Sequence, residues 1–112
     1  MGARFISDAL RGMHGVSNCV VTGGEIEFSF DYRAMGELNA NSFSAYVPTR
    51  NDYEVSVAIV EKAIRKGCNL IVYDSWIFPT MSGVQHAKAK GVPVLSVGEF
   101  LGAINRKEGL DV

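Results

Sequence analysis

Two rhythms of apolar and polar positions run along this chain. Over residues 3–13, Phe5, Ile6, Leu10 and Met13 recur at helical spacing, and Gly15 stands where such a helix would end. Residues 17–22 (SNCVVT) and 25–30 (EIEFSF) read instead as strands. In the second, alternation puts Ile26, Phe28 and Phe30 on one face and Glu25, Glu27 and Ser29 on the other. Gly23 and Gly24 between them predict a hairpin turn. Residues 31–42 fit no single period: Met35 and Leu38 suit a short helix, and Asn39–Asn41 a loop. FSAYV at 43–47 is a third strand, closed by Pro48.

The helical rhythm returns over 53–66, with Asp52 as the expected N-cap, an apolar stripe of Val55, Ile59, Val60 and Ala63, and Gly67 closing it. NLIVYD at 69–74 is apolar on both faces, the mark of a parallel strand covered by helices. Pro79 and Thr80 prepare a helix over 80–90 that Gly91 ends; VPVLS at 92–96 is the next buried strand. A last helix is expected over 99–106, and a polar, frayed tail over 107–112. Strand, helix, strand, helix in short order requires crossovers and parallel pairing. The expectation is one α/β domain over residues 1–112: a small three-layer domain with a mixed sheet, an N-terminal β-hairpin and a C-terminal parallel β-α-β-α unit.

Composition narrows the function classes. With 47% hydrophobic and 21% charged residues, the 112-residue chain can bury a core. A net charge of −1 gives no bulk attraction to nucleic acid or an anionic membrane. Residues 1–53 carry four basic and six acidic groups; residues 54–112 carry seven and six, so any basic face belongs to the second half. Lys62, Arg65, Lys66, Lys88 and Lys90 could give weak contact with a DNA backbone, with Arg106 and Lys107 beside them. No apolar run approaches the roughly 18 residues of a membrane span, and no signal peptide opens the chain, so a cytoplasmic protein is expected. Cys19 and Cys68 lack any zinc spacing and read as reduced core thiols.

Four groups of residues could carry chemistry. Asp74, Ser75 and Trp76 leave the end of a parallel strand, where ligands of open sheets gather, with Ser96 at the end of the neighbouring strand. Thr80 and Ser82 stand at a helix start, suited to an anion or to capping. Trp76, Ile77 and Phe78 form either a lid on the core or an exposed contact patch. Glu25, Glu27 and Asp31 could hold a divalent metal as nucleases do, but FSAYVPTR offers no acidic-x-Lys partner, so a solvated row of charges is the plainer reading and no metal is assigned. His86 and His14 read as surface histidines. Thr22-Gly23-Gly24 precedes a strand, so it is no dinucleotide fingerprint; the Walker pattern is absent, and no cofactor is expected.

Asn69–Asp74, Ala87–Gly91, Val92–Ser96 and Glu99–Leu101, with Val20-Val21-Thr22-Gly23 upstream, resemble the strand, helix and first-strand motifs of BRCT domains over residues 68–104. That resemblance implies a phosphate held by Thr22 and the Gly23 amide, though Val84 stands where the family's lysine would. The same segment is similar to the end of restriction-endonuclease-like domains of the Mrr type, in which a helix and a three-stranded meander come first. The resulting expectation is a non-catalytic module that binds a protein or a DNA-bound protein complex, with Thr22, Gly23, Asp74, Ser75, Trp76, Thr80, Ser82 and Ser96 as binding residues and a possible homo-oligomer. A nuclease, active or degenerate, and a nucleotide-like ligand site at the strand ends are the alternatives. A BRCT-like arrangement would put the 17–22 strand parallel and central; the other would make it part of an antiparallel meander.

Overall fold

A computed structural model describes residues 2–110. Its elements are α1 (Ala3–Leu10), β1 (Val16–Val21), β2 (Glu27–Tyr32), β3 (Asn41–Tyr46), β4 (Glu54–Val55), α2 (Val57–Arg65), β5 (Leu70–Tyr73), β6 (Phe78–Pro79), α3 (Met81–Ala89), β7 (Val94–Ser96) and α4 (Val97–Asn105). The main sheet has the order β1-β2-β3-β5-β7. The first three strands form an antiparallel meander; β5 and β7 join in parallel with β3. This is the expected α/β domain with its mixed sheet, N-terminal hairpin and C-terminal parallel unit. β1 is an antiparallel edge strand, and a bulge between Ser17 and Val20 breaks its register. Asn18 takes φ +52° within that bulge, which blunts the edge against pairing with another chain.

Helices cover the sheet on both sides, giving three layers. Under α1 and α4, Phe28, Phe30 and Tyr32 of β2 pack with Leu70, Val72, Phe100 and Ile104. Phe30 stacks on Phe43 at 5.3 Å and meets Phe100 edge-on at 5.7 Å. Under α2 and α3, the core is Tyr46, Val55, Val60, Ala63, Ile71, Ile77 and Ala87. Leu70, Ile71 and Val72 are buried on both faces, as a covered parallel strand requires.

Several expectations need correction. The chain leaves α1 at Arg11, earlier than Gly15, and Phe5 faces solvent. Gly15 instead sits where a Cβ would crowd the Arg33 carbonyl. Ile26 precedes β2 and packs on the α2 side, opposite Phe28 and Phe30. Residues 33–40 form no helix, and Met35 and Leu38 are exposed. Asp52 does not cap α2. Ser56 does, accepting from the Ile59 amide, because residues 54–55 are drawn into β4, paired with β6. β7 is an edge strand and Val94 is only half-buried, so this strand is less enclosed than its composition predicts. The tail is not frayed at its start: Leu110 is buried and the Tyr32 hydroxyl donates to the Glu108 carbonyl at 2.7 Å. Residues 111 and 112 of that expected tail lie outside the described residues.

Candidate functional site

Parallel pairing brings the carboxyl ends of β1, β3, β5 and β7 to one rim of the sheet, with the start of β2 among them. The rim therefore carries most of the residues singled out from the sequence. Ser96 pairs with Tyr73, beside Asp74 and Ser75. Thr80 is tied to the Val55 carbonyl through its amide at 3.0 Å and its hydroxyl at 3.3 Å. Thr22 and Gly23 occupy the same rim but follow β1, three strands from Asp74, about 14 Å at the usual strand spacing. The structure thus groups Asp74, Ser75, Trp76, Thr80, Ser82 and Ser96, and leaves Thr22 and Gly23 apart.

The polar members of this group already have internal work. Thr80 caps α3 by accepting from the Gly83 amide at 2.9 Å, and its hydroxyl lies 3.4 Å from that of Ser82. Ser96 caps α4 in a capping box: its hydroxyl accepts from the Glu99 amide at 3.1 Å, and its own amide donates to Glu99 at 2.9 Å. Asp74 is buried, which opposes its charge. The Ser75 amide (2.8 Å) and the Trp76 side chain are among the donors that nevertheless hold its carboxyl below the ordinary value. At the distant hairpin, the Thr22 and Gly23 amides both donate to the Glu27 carbonyl, so the Gly23 amide already has an acceptor.

Beside the exposed Ser75, Ser82 and Glu54, the rim offers a group of apolar side chains to solvent. Ile77 alone of the Trp76–Phe78 run enters the core; Trp76 is 40% exposed and Phe78 74%. The β4–β6 pairing sets Glu54 beside Phe78, which brings Tyr53 and the first turns of α2 and α3 to the same place. Tyr53, Val57 and Met81 are exposed there too. Five of the nine exposed large apolar side chains among the described residues therefore gather on one rim. The Arg50 guanidinium lies 5.8 Å from the centre of the Trp76 ring. Tyr53, Met81 and Arg50 escaped notice in the sequence because two-residue strands leave no periodic signal.

The chain matches no protein-family model, no curated protein and no solved structure.

The remaining candidates are dispersed. Glu25 pairs with Arg4 of α1 at 3.6 Å. Glu27 faces α2, 3.8 Å from the Lys66 ammonium and 3.7 Å from the Cys68 thiol. Asp31 accepts from Asn18 and from the Ser42 hydroxyl, each at 2.7 Å, and these bonds lower its pKa. Each carboxylate has its own partners, and among the described residues no group of three His, Cys, Asp or Glu could hold a metal ion. Burial and then Glu27 push the Cys68 thiol up to about 11, an unreactive core cysteine. Cys19 is half-buried on the opposite side of the sheet, 3.1 Å from the Ser7 hydroxyl. His86 is not the free surface group expected. Its Nε2 lies 2.6 Å from Glu61 and joins α3 to α2. Of the five lysines and arginines expected to form a basic face, Lys62 is held by Asp52 and Lys66 by Glu27. Among the described residues no helix is long and apolar enough to cross a membrane.

Proposed function

We propose that this chain is a non-catalytic α/β module that binds a protein partner through the apolar rim formed by Tyr53, Trp76, Phe78 and Met81. The observation that carries the reading is the half-turned loop: Ile77 anchors it in the core while its two neighbours stay in water. Aromatic side chains held on a rigid support are the usual centres of protein interfaces, and contiguous apolar patches favour association. Arg50 beside Trp76 suits a partner that brings an acidic group alongside an apolar anchor. We attach a DNA-associated, cytoplasmic setting to this reading. Its support is the resemblance to restriction-endonuclease-like domains and the exposed cations Arg65, Lys88 and Lys90 near the ends of α2 and α3.

A second reading, a degenerate nuclease fold used for binding, draws support from the sheet. A helix, an antiparallel meander and then parallel strands follow one another in the order set out for restriction-endonuclease-like domains. The edge position of β1 is not the arrangement set out for a BRCT-like domain. The separate partners of Glu25, Glu27 and Asp31 favour binding over cleavage. Photo-crosslinking in the native host tests the proposal, with the reactive side chain at Met81 on the rim and, as a control, at Phe5 on α1. Discrete adducts at 81 that disappear with Phe78→Ser support it. Equal adducts at both positions, or adducts indifferent to Phe78→Ser, reject it.

A further inference from the structure

Three helices of this protein end in the same way, and one of them does so with the wrong residue. After α2, the Gly67 amide donates to Ile64 and the Cys68 amide to Ala63. After α3, the Gly91 amide donates to Lys88 and the Val92 amide to Ala87. After α4, the Lys107 amide donates to Ile104 and the Glu108 amide to Ala103. This paired closure needs a left-handed residue at its first position, which glycine adopts freely. Gly67 and Gly91 have φ +82° and +71°. Lys107 has φ +58°, a conformation that costs an L side chain and that a glycine there would relieve.

The lysine stands at a cleft. At the rim opposite the apolar patch, a cavity of about 340 Å³ is lined by residues including His14, Gly15, Arg33, Met35, Glu37 and Lys107. The Lys107 carbonyl accepts from the Met35 amide at 2.8 Å, and the Gly15 carbonyl from the Arg33 amide at 2.9 Å, so backbone bonds fix both basic residues to the cavity wall. Among the described residues, His14, Arg33 and Lys107 enter no ion pair. Glu37 is turned to structural use: one oxygen accepts from the Ala34 amide at 3.0 Å and the other from Asn41 at 3.2 Å. Two cations against one carboxylate give the lining of the cleft a net formal charge of +1.

We propose that this cleft binds a small phosphorylated molecule, with Arg33 and Lys107 taking the phosphate and His14 adding a third donor. A planar guanidinium and a lysine ammonium are complementary to phosphate oxygens. The volume lies at the small end of ligand pockets and leaves room beyond the phosphate for the body of the molecule, along Ala34 and Met35. The inference is independent of the apolar rim, which lies at the other end of the strands.

The strained lysine supplies the test, because fold and ligand pull it in opposite directions. Inorganic phosphate and a nucleoside monophosphate are titrated into the labelled protein, with the unphosphorylated nucleoside as control, and amide resonances are followed beside thermal melts. Both phosphates are expected to give saturating shifts at Gly15, Gly36 and Lys107, and the nucleoside none. Lys107→Gly is expected to melt higher than wild type while binding the monophosphate at least roughly tenfold more weakly, the size of one lost charge-assisted contact. Arg33→Gln should weaken binding similarly, and Lys107→Arg should retain it. Unchanged affinity in Lys107→Gly, shifts confined to other surfaces, or equal binding of the unphosphorylated nucleoside would overturn the proposal.

Discussion

The two faces of the sheet are packed with different materials. Beneath α1 and α4 lies an aromatic cluster of Phe28, Phe30, Phe43 and Phe100, held by burial and ring contacts. Beneath α2 and α3 the apolar core is made of smaller side chains, among them Ala63, Ala87 and Cys68. Polar links close it at the surface. Asp52 accepts from the Tyr46 hydroxyl and the Thr49 amide, each at 2.8 Å, and lies 3.4 Å from Lys62. Glu61 meets His86, and Glu27 meets Lys66. One face is thus secured mainly by area removed from water. The other depends partly on charge, and the loops that form the apolar rim belong to it.

The largest stability effect should come from the aromatic face. Phe30→Ala leaves a cavity among three other rings, and such truncations cost about 3–5 kcal/mol. Chemical denaturation measures it; a loss below about 1 kcal/mol would mean that this cluster is not the main core.

The opposite face should answer next, to a change that adds volume. Gly83 lies where α3 meets β4, and a Cβ there would run into the Val55 carbonyl oxygen. Gly83→Ala is expected to cost about 1–3 kcal/mol, the range for overpacking, although alanine is the better helix former. A more stable variant would show that α3 can move away from β4 freely.

Acid sharpens the contrast between the faces. Burial works against the Asp52 carboxylate, but its bonds from Thr49 and Tyr46 and the nearby Lys62 leave its pKa below the ordinary value. The bond from His86 does the same for Glu61. A carboxyl group whose folded pKa is depressed contributes stability that is complete above its unfolded value, about 3.9 for Asp and 4.3 for Glu, and lost as pH falls through the folded value. Asp52→Asn should therefore lower stability at neutral pH, by less than the core changes, and flatten its decline below about pH 4. Phe30→Ala should leave the shape of that decline unaltered. Parallel pH profiles for wild type and Asp52→Asn would remove Asp52 from the account.

Regular burial made most of the fold legible in the sequence. Leu70, Ile71 and Val72 announce a strand covered on both faces, and Gly67 and Gly91 announce the ends of two helices. Thr80 could be recognised as a cap, and it is one; Ser96 reads in the sequence only as a strand end, and it caps α4. What escaped were features set by contacts distant in sequence. Asp52 satisfies the local rule for an N-cap but turns toward Tyr46, because residues 54–55 are captured by Phe78 and Pro79. His86 has no partner within its own helix and finds Glu61 on another, 25 residues earlier. At the candidate site, the sequence placed Trp76 and Phe78 in a loop but could not separate lid from patch. That choice depends on which of three adjacent apolar side chains turns inward, and only Ile77 does.

The smallest expected change in stability is also the most informative. Phe78 is largely exposed, so Phe78→Ser should alter unfolding free energy by no more than about 0.5 kcal/mol, as surface substitutions do. In the same variant, crosslinked adducts formed at Met81 should disappear. A melt lowered by several degrees, with the adducts intact, would instead make the loop a lid on the core and contradict the assignment of this rim as the protein's binding surface.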